Sequence, residues 1–449
     1  MKSSTINMTE GSSIKLILLF SIPMLIGNIF QQFYNLVDSV IVGQLIGSQA
    51  LAAIGATSSI TFFFFALCNG FGNGGGIITS QFFGEGNKEK VKNCIANTAY
   101  LMIAVPFVIG TIAFFTAGTL LKVLNTPDDI LDDAKLYMRI MCIGLILTSA
   151  YNFVSSMLRA LGDSKTPLYF LIFSTILNGI LDFVFVYFFK MGIFGAGVAT
   201  LISQIVSAGL CLFFAIRTNE YFKLSKQDLK VNYQLLWRCT KLGVPLSLQF
   251  SLIAISCMAL QRVVNGFGAV AVAAFTATSR IEQVIHQPYQ TLSAALATFC
   301  GQNYGAKKYR RMIKGYHRCM VLMAGFTIVM VPIIQIFGAA ITSLFVKDAD
   351  VIEMGAQAMK ITSYFYIFLG LIYIVRGILN GVGDAFFALL NGIVEVIGRF
   401  TVPIMLTSIA TIGLWGIWWS VGIVWFLSGF TAWLRYLWVK KNKININVD

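Results

Sequence analysis

Charge is what this sequence has least of. Only 12% of its 449 residues are Asp, Glu, Lys or Arg, against ~25% in soluble proteins. With 57% hydrophobic residues and a mean hydropathy of +0.78, a water-soluble globular fold is excluded and an integral membrane protein is expected. Histidine is nearly absent too, at two residues, His286 and His317, so no Ser/His/Asp arrangement is convincing and an enzyme is not expected. The eight cysteines show no CxxC or other metal spacing. They read as small buried residues, not as disulfides or metal ligands. The first apolar stretch is too long for a signal-peptide core, and no cleavage motif follows it.

What is present is a series of apolar segments. Twelve candidate spans fall at about 15–46, 51–80, 94–121, 136–159, 167–189, 193–216, 240–265, 271–300, 318–345, 357–380, 386–408 and 412–438; ~20 helical residues suffice to cross the hydrocarbon core. The net charge of +14 is distributed as the positive-inside rule demands and not as a nucleic-acid surface. Most of the 33 Lys and Arg residues lie in the termini and in alternate loops; the opposite loops are acidic, as in Asp128, Asp129, Asp132 and Asp133. Both termini are therefore expected in the cytoplasm.

An internal repeat fixes the architecture. Gly47 and Gly268, Gln81 and Gln302, Gly84 and Gly305, Gly162–Asp163 and Gly383–Asp384, and Gly192 and Gly413 all share one offset, 221 positions; Pro23 and Pro245 differ from it by one residue. The expected fold is all-α: twelve transmembrane helices in two six-helix bundles related by pseudo-two-fold symmetry about the membrane normal. The lobes are placed at 1–216 and 240–449, with a basic cytoplasmic linker at 217–239. Such parallel repeats suit a carrier that works by alternating access.

The repeat also sorts residues. The paired turns Gly162–Asp163 and Gly383–Asp384 serve the fold: Gly permits the tight turn, and Asp caps a helix or pairs with a base. Residues that break the repeat are the functional candidates. Asp38, in the first span, would fall on Ala259 or Leu260 in the second half, and Asp182 on Pro403. An Asp at membrane depth is costly and marks function. Gln31, Tyr34/Asn35 and Asp38 share a helix face, as do Asn178 and Asp182, and Thr200 follows in the sixth span. Asp38, Asn178, Asp182 and Thr200 thus supply hard oxygen donors, suited to Na⁺ or, through neighbouring carboxyls that share a proton, to H⁺. In the second half Arg280, Glu282 and His286 gather in the eighth span, Gln249 lies one turn beyond Pro245, and Glu395 and Arg399 stand four residues apart, as in a structural ion pair. Gln31, Tyr34, Gln249, Arg280, Glu282 and His286 are candidates for a substrate cavity. The glycines of NGFGNGGG (69–76) lack a following GK[ST] and read as a close helix contact, not a phosphate loop.

With Pro23, Asp38, VGQLIGSQALAA, RALGDSKTP and GQNYGAKK in this order, the whole chain resembles the multidrug and toxic compound extrusion (MATE) family, in its DinF-like branch. That resemblance implies a multi-pass carrier of the bacterial inner membrane. It would export drugs or toxic organic cations in exchange for H⁺ or Na⁺ held by Asp38, Asn178, Asp182 and Thr200, with no cofactor and no obligatory protein partner beyond the lipid bilayer. The seventh span has no acid, unlike the branch with a Glu there. A flippase for a lipid-linked or polysaccharide precursor is the alternative; it would need a basic cavity.

Overall fold

The computed structural model describes residues 5–124 and 126–444. Among the described residues all regular structure is helical. In the first half, α1 (Ser13–Leu45), α2 (Ser48–Gly84), α3 (Lys88–Val123), α4 (Asp128–Ala160), α5 (Lys165–Phe183) and α6 (Gly192–Thr218) follow one another, with a π-turn at Val184–Phe188. The second half runs through α7 (Tyr233–Asn265), α8 (Ala269–Gly305), α9 (Tyr309–Ser343), α10 (Ala349–Ser363), α11 (Tyr366–Gly381), α12 (Ala385–Thr407) and α13 (Gly416–Val439).

Ten of these helical stretches are long and apolar enough to cross a bilayer, and the pair α10–α11, bent by 54°, makes an eleventh. The twelfth, α8, is 37 residues long and owes its lower hydropathy to polar residues such as Arg280, Glu282, His286 and Gln287. The tenth span thus starts earlier than expected, at Ala349, and breaks at Tyr364–Phe365. The break is supported by packing: Gln335 of α9 donates to Lys360 O at 3.1 Å and to Ser363 Oγ at 2.8 Å, meeting groups at the end of α10. The Phe365 ring fills the space that a side chain at Gly422 would need.

Two compact units emerge, and neither follows the midpoint of the chain. Unit 1 comprises Met1–Asn7 and Ile22–Leu248; unit 2 comprises Met8–Ser21 and Gln249–Asp449. The change of unit falls inside α1, beside Pro23, and inside α7, just after Pro245, both of which are helix-interior prolines. Proline removes a helical hydrogen bond and permits a bend there.

In unit 1 the start of α7 lies flat against α2. A Cβ on Gly70 would stand 2.3 Å from Ser247 N, and Ser247 Oγ donates to Leu67 O at 2.7 Å. Only glycine admits that approach, which is the role expected for the NGFGNGGG run. The linker is moored to α3: Lys92 Nζ donates to Lys223 O at 2.8 Å and Tyr100 Oη to Leu229 O at 2.7 Å. In unit 2 the segment before α1 is moored in like manner. Met8 N donates to Gln302 Oε1 at 2.8 Å, and Lys308 Nζ to Thr9 O at 3.0 Å.

The paired turns diverge in detail. Gly162 and Gly383 both take a left-handed φ, 86° and 82°. Asp163 Oδ1 accepts from the amides of Lys165 and Thr166 at 3.1 and 3.0 Å, capping α5. Asp384 instead receives Arg435 Nε at 2.9 Å.

Candidate functional site

In a bilayer the solvent is hydrocarbon, so a helix turns its polar stripe inward. α5 does this plainly: Ser174, Asn178 and Asp182 are buried, while Phe173, Ile176, Ile180 and Phe183 are exposed. Their i, i+4, i+8 spacing makes one inward line. α6 offers it a face of small residues, Ala196, Ala199, Thr200 and Ser203, all buried. A π-turn begins two residues after Asp182, a feature common at functional positions.

The structure brings the four first-half donors together in unit 1. Asn178 Nδ2 donates to Thr200 Oγ1 at 3.4 Å, and Thr200 Oγ1 donates to Ala196 O at 3.1 Å. The Asp38 and Asp182 carboxyls lie close enough to act on each other although they come from α1 and α5. Tyr34, one turn before Asp38, stands beside Thr200 and within the field of both aspartates. Tyr137 of α4, buried to 8% exposure, lies within the field of both aspartates. Sequence reasoning missed Tyr137, because a lone Tyr in a mixed segment gives no positional signal. Around this group lies an apolar shell that includes Val42, Ala53, Ile60, Met138, Val186 and Ile193. Gln31 is half-buried on α1; the Asn35 side chain lies outside the described residues. The arrangement offers carboxyl, amide, hydroxyl and phenol oxygens in an apolar surround, which can hold one small cation.

The second-half candidates separate. Arg280 is exposed, whereas Glu282 and His286 are half-buried. Glu282 stands near the Thr362 side chain. The His286 ring stands edge-on to Tyr373 and Trp425, with centroids 6.2 and 5.6 Å away. Gln249 is buried against Gly392. Arg399 does reach Glu395, at 3.9 Å, but the tighter partner is Arg376, whose guanidinium donates to Glu395 and, through Nε, to Asn391 Oδ1 at 2.8 Å. Ser428 Oγ adds a hydrogen bond to Glu395 at 3.1 Å, and Arg399 donates to Ser256 Oγ at 3.2 Å. The α12 acid is thus a buried structural node. Among the described residues no group of three or more His, Cys, Asp or Glu side chains could hold a metal ion.

Comparisons with known proteins agree with this layout. The MatE family model matches twice, over residues 23–184 and 245–398, on the two halves that the repeat defines. The chain is 31% identical over 432 residues to the probable multidrug resistance protein YpnP of Bacillus subtilis, covering 95% of this chain and 96% of that one. It is 23% identical over 437 residues to the multidrug export protein MepA of Staphylococcus aureus, covering 97% and 96%. Among solved structures, a MATE crystal structure in the bent conformation superposes with a TM-score of 0.92 at 22% identity, covering 100% of both chains. An outward-facing multidrug resistance MATE family transporter of the MOP superfamily gives 0.92 at 21% identity, again over 100% of both.

Proposed function

Since the chain belongs to the MatE family of multi-pass membrane transporters, we propose that it is a cation-coupled antiporter that exports organic, mainly cationic, drugs by alternating access. In this reading it sits in the cell membrane with both termini cytoplasmic, as the Lys/Arg bias of its loops supports, and its two repeat halves act as the N- and C-lobes. The observation that supports the reading is the juxtaposition of the Asp38 and Asp182 carboxyls, brought close enough from α1 and α5 to act on each other. Two carboxylates so placed repel, and a single shared proton relieves that repulsion. The pairing suits a site that takes up one H⁺. Na⁺ would occupy the same oxygens, with Asn178 and Thr200 completing its shell. Export follows when inward cation movement loads this pair and outward drug release is coupled to it. The names of the relatives, a multidrug resistance protein and a multidrug export protein, support drugs as the cargo.

The flippase alternative needs free positive charge at membrane depth for an anionic headgroup. Arg376 and Arg399 are instead both turned on Glu395, which favours the cationic cargo. The experiment is dye efflux from proteoliposomes with a pH or a Na⁺ gradient imposed alone. Efflux under one gradient and its loss in Asp38→Asn are expected. Full gradient-driven efflux by Asp38→Asn would sink the reading.

A further inference from the structure

α9 opens with a run of cations that the transport reading does not use. Arg310, Arg311, Lys314 and Arg318 line one cleft of about 460 Å³ together with Gly11, Ser12 and Ser13 at the start of α1, and no carboxylate lines it. All of these residues belong to unit 2.

The hydrogen bonds in the cleft satisfy donors without cancelling charge. Arg311 donates to main-chain carbonyls: Nε to Met8 O at 3.2 Å, one terminal nitrogen to Gly11 O at 2.6 Å, the other to Glu10 O at 2.8 Å. Arg318 donates to the Ser13 hydroxyl at 2.5 Å. Arg310 and Lys314 are exposed and make no hydrogen bond or ion pair among the described residues. Glu10 is an exposed residue whose charge reaches Arg311. Four like charges around one cleft repel one another unless an anion joins them, and the first turn of α1 adds its positive end.

The face of α9 that carries Lys314 continues into lipid. Val321 and Ile328 follow Lys314 at seven-residue steps and Ile336 comes eight further on, so they share its side of the helix. Their exposures, 71%, 70% and 71%, make an open apolar track in a chain that spans a membrane. Cations at the head of an apolar track match a molecule with an anionic head and acyl chains. A free anion would use the cleft alone, whereas a lipid would use the cleft and the adjoining track together.

We propose that this cleft binds the phosphate headgroup of an anionic phospholipid whose acyl chains lie along α9. The bound lipid neutralises the cleft and secures the Met8–Ser13 segment that Arg311 and Arg318 hold.

The full-length chain in phosphatidylcholine-containing detergent is titrated with phosphatidylglycerol of matched acyl chains, and bound lipid is read by native mass spectrometry. Phosphatidylglycerol should be retained in preference to phosphatidylcholine. Arg310→Ala/Lys314→Ala should weaken its retention by about 30-fold, from a surface cation's typical contribution. Arg310→Lys/Lys314→Arg should retain it. Both positions are exposed and unpartnered, so the fold is expected to persist, and Lys314→Gln alone should give about a five-fold loss. Undiminished retention by the double alanine variant, or equal retention of phosphatidylcholine, overturns the proposal. So does displacement of phosphatidylglycerol by millimolar inorganic phosphate, which would mark a site for the anion alone.

Discussion

The side-chain oxygen of Gln302 accepts the main-chain amide of Met8 at 2.8 Å, across 294 positions of sequence. Its counterpart in the repeat, Gln81, accepts from Arg238 at 2.8 Å. Gln302 therefore grips the segment that leads into the first helix of the other half, and Gln81 grips the opening turns of α7, the first helix of the half opposite its own. The two grips differ in burial: Met8 is fully buried and Arg238 is exposed.

That difference sets a first expectation. Gln302→Leu strands a buried amide and should destabilise the protein by about 1–3 kcal/mol. Gln81→Leu returns Arg238 to solvent and should cost about 1 kcal/mol or less. Thermal unfolding of both variants in one detergent checks the order; an equal loss for the two would contradict it.

A second concerns Arg376. Both Arg376 and Glu395 are buried, and Arg399 alone, at 3.9 Å, is a distant substitute. Arg376→Met should cost about 3–5 kcal/mol, because it leaves an under-compensated carboxylate in the interior. Arg376→Met/Glu395→Gln should recover much of that loss. If the double variant unfolds as early as the single one, the pair is not the source of the effect.

The linker supplies a pH dependence. Asp228 Oδ2 accepts from the Ser225 amide and hydroxyl, each at 2.7 Å. Burial pushes this carboxyl up, but those two bonds and the charge of Lys92 outweigh it and hold it below the usual carboxylate range. A depressed group contributes stability that is complete above its unfolded value, near ~4, and is lost as the pH falls through the lower folded value. Pepsin cleavage within residues 219–232 should therefore rise as the pH drops below ~4, and Asp228→Asn should be cleaved alike at every pH in that range.

The residues differ in how legible they were. The repeat was readable because turn glycines and prolines have local meaning, and the family model falls on the same two halves. Asp38, Asn178 and Asp182 stood out because a polar residue in hydrocarbon is conspicuous. Tyr137 did not, since a Tyr suits an interface, a core or a site equally. The Arg376–Glu395 contact is not local, whereas the i, i+4 neighbour Arg399 was visible and proved the weaker partner by distance. The break at Tyr364–Phe365 carries no Pro or Gly of its own; its causes, Gln335 and Gly422, lie on other helices. The exchange of segments between the units is likewise a matter of packing.

The sharpest test of the proposed cation site lies one step from the carboxyls, at Thr200. Its Oγ1 donates to Ala196 O and receives Asn178 Nδ2 at 3.4 Å, and Tyr34 of α1 stands beside it. One hydroxyl thus ties α5 to α6 in unit 1. Valine has nearly the same shape but no acceptor, so Thr200→Val removes a partner from Asn178. A buried donor left unsatisfied costs about 1–3 kcal/mol; if that loss falls on the loaded state, gradient-driven efflux should fall by about 10-fold or more. Thr200→Ser keeps the hydroxyl and should retain most of the activity. The measurement is initial efflux rate in proteoliposomes, with unfolding temperature as the control. If serine and valine are equally impaired, the methyl group and not the hydrogen bonds matters there. If neither is impaired, Thr200 has no part in the site.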